Sequence, residues 1–261
     1  MNARRLLQSL VIAWLLLPLF SYAESVEDVS SRDVRIRLLV GMPLSPVAVV
    51  VLFAGGHGSM NIRDDGAFGW GGGNFLVRSR KLFQKQGMAT AVIDAPSDKM
   101  TSGLYHFRES EEHAQDVAAV IRHLRVRFNL PVWLVGTSRG TESVANAAIR
   151  LKAGLPDGIV LTSSMLKYNK NGTQLLSMDL ETITVPALIV HHKSDDCSVT
   201  PYDQVESLRS NLSSSRRVDV LEYQGGTPEG GVCGAFHYHG YRGIESAVVK
   251  DISDWIKAYS P

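Results

Sequence analysis

The most apolar stretches of the chain are short and well separated. Residues 46–53 (PVAVVVLF), 88–94, 132–135, 158–161 and 185–191 (VPALIVH) are nearly continuous apolar runs of strand length. Such runs suit strands covered on both faces, as in a parallel sheet. Residues 31–40 behave differently. Val34, Ile36 and Leu38 alternate with Arg35 and Arg37, the pattern of a half-exposed strand at a sheet edge. Residues 218–223 (VDVLEY) form a last strand. Between these runs the period becomes helical. In 109–128, Ala114, Val117, Ala118, Ile121, Leu124 and Phe128 share one face, with Glu111 and Glu112 early and Arg122, Arg125 and Arg127 late. That order complements the helix dipole. His113 and His123 fall on this helix as surface or interfacial residues. Residues 75–86 give a helix stopped by Gly87, 202–212 give another, and Ile244, Val248, Ile252, Trp255 and Ile256 mark a closing one. The alternation implies an α/β fold: a mostly parallel, twisted sheet with helices on both faces. The stretch 165–184 is too short for a large cap domain.

The length, 261 residues, suits a single domain over 24–261. Before it, a basic start (Arg4, Arg5), a largely apolar run over 6–20 and a small-x-small site at Ser21-Tyr22-Ala23 read as a signal peptide, 1–23, cleaved after Ala23. Gln8, Ser9 and Pro18 interrupt the apolar run, and it is short for a span, which argues against a stable membrane anchor. No cysteine stands near the cleavage site, which argues against a lipid anchor. The chain is expected in the periplasm or outside the cell. Of its 27 basic and 26 acidic residues, the leader takes two arginines, leaving the remainder with one more acid than base. No block of like charge stands out, so no nucleic-acid partner is indicated. In an oxidising compartment the two cysteines, Cys197 and Cys233, are expected to pair. The alternative is two separate buried thiols.

Candidate chemistry centres on residues 131–140, PVWLVGTSRG. A short buried strand runs into Gly136-Thr137-Ser138-Arg139-Gly140, and helix-compatible residues follow. Strand, sharp turn and helix are the context in which G-x-S-x-G exposes a strained serine. Side chains at Gly136 or Gly140 would collide with the strand and helix packed on either side. After the strand at 46–53 comes Ala54-Gly55-Gly56-His57-Gly58. Glycines there let backbone N–H groups approach a ligand. A dinucleotide-binding loop would need G-x-G-x-x-G opening a helix, whereas these glycines lead into a long polar stretch over 59–74. Phe68 and Trp70 in that stretch are either walls of a cleft or caps over the core. Asp94 and Asp98 lie at the end of the next strand, where acids either line a site or, as favoured here, form the turn.

A serine hydroxyl needs an imidazole to take its proton and a carboxylate to hold that imidazole. Both occur after later strands, in the order Ser…Asp…His. With GTSRG at 136–140, HHKSDDC at 191–197 and HYHGY at 237–241, nearly all of the chain beyond the leader resembles the α/β-hydrolase superfamily. The resemblance implies Ser138 as nucleophile, His239 as base with His237 as rival, and Asp195 as acid. Asp195 is favoured by counting from His191, with Asp196 as the alternative. It implies oxyanion donors at the backbone N–H groups of Arg139 and Gly56. The family's usual His-Gly stands here as Ala54-Gly55, which leaves His57 open as the alternative to Gly56. A Cys197–Cys233 disulfide would tie the acid loop to the base loop.

The histidines and aspartates also raise a zinc site, but the adjacent His191 and His192 on a strand point to opposite faces and cannot both bind one ion. No metal or cofactor is expected. The expected activity is hydrolysis of small carboxylic esters through an acyl-enzyme. The alternatives are a peptidase, amidase or acyltransferase with the same triad, and a non-catalytic ligand-binding member of the fold.

Overall fold

The apolar runs become strands buried along their whole length. In the computed structural model, which describes residues 23–152 and 156–260, they lie side by side in one sheet. Its strands are β1 (Ala23–Ser31), β2 (Val34–Met42), β3 (Ala48–Phe53), β4 (Met88–Pro96), β5 (Val132–Thr137), β6 (Gly158–Thr162), β7 (Ala187–His192) and β8 (Val218–Tyr223). The spatial order is β1-β2-β4-β3-β5-β6-β7-β8. From β4 to β8 neighbouring strands are parallel, while β1–β2 and β2–β4 are antiparallel. The mostly parallel sheet expected from the sequence is present.

Each buried strand serves two cores. Val49, Val51 and Phe53 of β3 face one apolar cluster, and Ala48, Val50 and Leu52 face the other. Helices α2 (Glu111–Phe128), α3 (Gly140–Arg150) and α4 (Val205–Asn211) cover the first face. Helices α1 (Phe75–Lys85) and α5 (Glu245–Tyr259) cover the second. A strand wedged between two helical layers has no polar face to offer, which is why these runs do not alternate. The segment between β6 and β7 holds only two short 3-10 turns, at Leu175–Ser177 and Leu180–Thr182, with no large cap.

The antiparallel end departs from expectation. The alternating strand is not the edge: β1 lies outside β2 and pairs with it along its full length, with Asp28 opposite Arg37. Arg37 ion-pairs with Asp28 at 2.9 Å and with Asp64 at 2.7 Å, so the polar side of β2 is matched by charge rather than left to solvent. β1 is tied further by Glu24 to Arg80 (2.7 Å) and by Glu27 to Arg127 (2.7 Å) and His123 (2.8 Å). Residues 1–22, with nearly all of the expected signal peptide, lie outside the described residues, and Ala23 opens β1. Among the described residues no helix is long and apolar enough to cross a membrane.

Helix α2 starts behind Ser110, whose side chain accepts the His113 N–H at 3.1 Å. His123 is interfacial, meeting β1, but His113 is not on the surface. Its ring is buried beside Phe107, and neither ring nitrogen has a hydrogen-bond partner among the described residues. Burial, aided by the nearby Arg108 and Arg32 charges, pushes its pKa down to about 3. The unfolded chain takes up a proton at this histidine below about pH 6.5, whereas the folded chain does so only near the depressed value. His113 therefore leaves stability intact above that pH and erodes it as pH falls. At pH 4.5 the erosion is on the order of 2 kcal/mol. In His113→Leu the loss of urea midpoint between pH 7 and pH 4.5 should be smaller than in the parent chain. An equal loss in both would contradict this account.

Candidate active site

The G-x-S-x-G turn is fixed by backbone packing. β5 ends at Thr137, Ser138 takes a left-handed conformation (φ 52°), and α3 begins two residues later. A Cβ on Gly136 would lie 2.6 Å from the Gly140 carbonyl oxygen, and one on Gly140 would lie 2.1 Å from the Phe53 carbonyl oxygen. Only glycine permits those approaches. The Ser138 N–H donates to the Thr162 carbonyl (3.0 Å), and the Ser138 carbonyl accepts from the Thr141 N–H (2.9 Å) and hydroxyl (2.6 Å). A serine held this way is over-determined by its surroundings, which is how strained backbone persists. The Ser138 hydroxyl lies 3.9 Å from Met165 Sδ, and no hydrogen bond joins it to His239.

Ser138 and His239 line one cavity of about 270 Å³, together with Gly55, Gly56, Trp70 and Phe75. The loop after β3 reaches the serine because Gly55 has no side chain: its Cβ would sit 3.0 Å from the Ser138 Cβ. Gly56 has φ +61°, and a Cβ there would meet Trp70 at 2.5 Å. Trp70 packs against His57 with ring centroids 3.8 Å apart and planes tilted by 36°, and forms a wall of the cavity. Phe68 instead packs against the core, so the two aromatic residues split between the two expected roles. Asp94 does more than form a turn. Buried, it accepts from the N–H groups of Met60 (2.6 Å), Asn61 (3.2 Å), Ile62 (2.7 Å) and Ala95 (2.8 Å). Met60 in turn accepts the Trp70 N–H at 3.1 Å, so the wall is hung from the end of β4. Burial raises the Asp94 pKa, and the four N–H donors work against that rise.

Beyond β7 the chain turns with the Asp195 N–H on the His192 carbonyl (3.0 Å). That turn buries Asp195 and leaves Asp196 exposed. Asp195 Oδ2 meets His239 Nδ1 at 2.9 Å and accepts the Thr200 hydroxyl at 3.0 Å, while Oδ1 accepts the Cys197 N–H at 3.1 Å. Burial opposes ionisation of Asp195. The hydrogen bond and charge of His239, the His191 charge and the Cys197 N–H outweigh it and hold the carboxyl below its ordinary value. His191 and His192 diverge as strand geometry requires: His191 Nε2 meets the Thr200 carbonyl and His192 Nε2 the Gly225 carbonyl, each at 2.9 Å. His237 does not meet the aspartate, and its Nδ1 is buried without a partner among the described residues.

His239 is held from its own backbone. Its carbonyl accepts the Ser163 hydroxyl at 2.9 Å, and the neighbouring Tyr241 donates to the Val190 carbonyl at 2.8 Å. The His239 loop is thus stapled to the ends of β6 and β7. Cys197 and Cys233 form a disulfide, with Cα atoms 4.7 Å apart, that joins the Asp195 turn to the loop before His239.

Comparison with solved structures adds the fold. A dienelactone hydrolase from Anabaena variabilis ATCC 29413 superposes with a TM-score of 0.63 at 16% identity, over 92% of this chain and 99% of that one. Est1E from Butyrivibrio proteoclasticus gives 0.59 at 14% identity, over 90% and 98%. The Pyrococcus horikoshii acylaminoacyl peptidase gives 0.64 at 13% identity, over 92% of this chain but only 42% of that longer one. This is the α/β-hydrolase fold. No protein-family model and no curated protein sequence matches the chain.

Within the α/β-hydrolase fold, two buried charges had no signal in the sequence. Arg108, in the loop before α2, donates to the Ser143 hydroxyl (2.7 Å) and the Ala54 carbonyl (3.0 Å). Glu142, one turn beyond Ser138, ion-pairs with Arg139 at 3.2 Å. Burial pushes Glu142 up to about 7, against the pull of Arg108 and Arg139. The Arg139 side chain also donates to Asn169, so this residue is fixed on its outer side, while its backbone N–H lies at the start of α3, where no intrahelical acceptor exists.

The disulfide closes a loop with a sequence separation of 36, for which chain entropy gives about 4 kcal/mol. Reduction, or Cys197→Ser with Cys233→Ser, should lower the melting temperature and the urea midpoint. Unchanged unfolding after reduction verified by thiol titration would show that the bridge carries no stability.

Proposed function

We propose that this protein is an exported serine hydrolase that cleaves small carboxylic esters through an acyl-enzyme. The observation that carries the reading is the His239 Nδ1–Asp195 Oδ2 contact of 2.9 Å, with His239 sharing a cavity with the strained Ser138. Rotation of the Ser138 side chain from Met165 toward His239 would complete the relay; such hydrogen bonds are often loose before substrate binds.

In the first half-reaction Ser138 Oγ attacks the ester carbonyl carbon and its proton passes to His239 Nε2. Asp195, bound to Nδ1, fixes the tautomer and stabilises the imidazolium. The oxyanion takes hydrogen bonds from the backbone N–H groups of Arg139 and Gly56. Gly56 is preferred to His57 because Gly56 lines the cavity, whereas His57 is engaged by Trp70. Collapse breaks the C–O bond, and the alcohol leaves with the proton from His239. Water then gives a proton to His239 and attacks the acyl carbon; the acid departs and Ser138 regains its hydrogen. A solved neighbour is a peptidase, so amide cleavage is the second reading; an alcohol in place of water would make the protein an acyltransferase. A ligand-binding role without catalysis would leave the aligned Asp195–His239 pair without purpose. Export is supported by the leader-like 1–23 segment and by the disulfide.

A fluorophosphonate probe should label Ser138 in the parent chain and fail to label Ser138→Ala. Asp195→Asn and His239→Ala should each lower turnover of a short-chain aryl ester by at least about a thousandfold. Asp196→Asn, on the exposed neighbour, should leave it within about twofold. A folded, disulfide-intact sample that neither labels nor turns over esters would sink the hydrolase reading.

The cavity also sets an acyl-size expectation. One wall is Trp70 pressed on Gly56, and among the described residues no ionisable side chain apart from His239 lines it. Short neutral acyl groups should be preferred. Trp70→Ala should move the optimum toward longer chains across a panel of p-nitrophenyl esters. An unchanged chain-length profile would place the acyl group elsewhere.

A further inference from the structure

Arg108 is a buried guanidinium to which no carboxylate among the described residues is hydrogen-bonded. The residue is 1% exposed, and the hydrogen-bond partners of its side chain among the described residues are neutral: Ser143 Oγ at 2.7 Å, the Ala54 carbonyl at 3.0 Å and, at longer range, the Gly56 carbonyl at 3.5 Å. Its Nε has no partner among the described residues. Burial depresses its pKa to about 10, with the attraction of Glu142 opposing, so it remains charged at neutral pH. A charge without a bound counter-charge is costly to keep in a protein interior, and such groups gather at functional sites.

The placement of its acceptors is informative. Ala54 and Gly56 belong to the loop that lines the cavity beside Ser138, and Ser143 lies on α3, the helix that starts at the serine turn. The loop wraps closely around the guanidinium: a Cβ on Gly58 would lie 2.3 Å from Nη2. The Ala54 carbonyl belongs to the 54–55 peptide and the Gly56 carbonyl to the 56–57 peptide. One guanidinium therefore holds the peptide groups on both sides of the one that carries the Gly56 N–H. Hydrogen bonds to those carbonyls also polarise the N–H groups of the same peptides, at Gly55 and His57.

We propose that Arg108 is a positioning residue for the reaction, tying the 54–58 loop to α3 so that the oxyanion donors of the loop and of the serine turn keep one fixed spacing. This rests on the hydrolase reading above. Arg108 lies outside the cavity lining and touches no reacting atom; it acts through the loop. Donors fixed in advance are worth most at the charged transition state and little in substrate binding, so removal should lower kcat and leave KM nearly alone.

The test compares Arg108→Met, Arg108→Lys and Ser143→Ala with the parent chain. Active sites are titrated with the fluorophosphonate, and p-nitrophenyl acetate turnover is expressed per titrated site. Arg108→Met should lose at least about tenfold in kcat per site, with KM within about threefold. Arg108→Lys, which keeps charge but not the fork, should fall between the two. Ser143→Ala should show a smaller loss of the same kind. A purely structural role would reduce the number of titratable sites and leave turnover per site unchanged; that result overturns the proposal. If Arg108→Met does not fold, turnover per site within about twofold of the parent in both other variants overturns it equally. A parent chain that neither labels nor turns over would refute the hydrolase reading itself and this proposal with it, an outcome separate from an active parent with indifferent variants.

Discussion

The site depends on a backbone contact. Gly140, at the start of α3, comes so close to the Phe53 carbonyl at the end of β3 that a single methyl group would overlap it, and Gly136 comes as close to Gly140 itself. Two neighbouring strands and one helix meet at that point with no side chain between them. The consequence is local and large: the chain between β5 and α3 has no room for a relaxed turn, so Ser138 sits at positive φ. Because β3 is part of the same contact, the loop that follows it is delivered beside the serine, with Gly55 against the Ser138 Cβ.

Around this fixed point the remaining groups are attached by separate ties. Asp94 holds the 60–62 backbone and through it Trp70. Ser163 and Tyr241 hold the His239 loop to the ends of β6 and β7, and Thr200 and the Cys197 N–H hold Asp195. The Asp94, Ser163 and Tyr241 ties join a loop to the end of a buried strand, and the Asp195 ties brace the loop that follows β7. Loops carry the chemistry, and the sheet supplies their common reference.

Much of this was legible in the sequence, for physical reasons that also explain what was not. Strands between two helical layers must be apolar throughout, so β3 to β7 announce themselves, and Ser138 and Asp195 can be placed because each follows such a strand, whereas His239 follows the half-buried β8. β1 does not announce itself. Apart from Ala23 its apolar residues are Val26 and Val29, and it is a strand because its acids meet cations of β2, α1 and α2, a matter of partners rather than pattern. For the same reason β2 reads as an edge although it is covered. His113 illustrates the limit of periodicity, which does not reveal that a neighbouring loop closes over one helical position. Arg108 and Glu142 are charged residues in polar-looking surroundings, and only the folded chain shows them buried. Counting along HHKSDDC cannot separate Asp195 from Asp196 by physics; the turn after β7 does, by facing one inward.

The disulfide has a topological consequence as well as an energetic one. Residues 197 to 233 form a covalent ring that contains α4, β8 and the glycine-rich stretch over 224–232, whose residues are all exposed. Exposed glycine-rich loops are where proteases first cut. A single cut there opens the ring without dividing the molecule, because the bridge still carries the connection. Asp195 and His239 stay tethered by a short covalent path across sulfur, and their hydrogen bond is not handed over to two diffusing fragments. Such a nick becomes a scar rather than a severance.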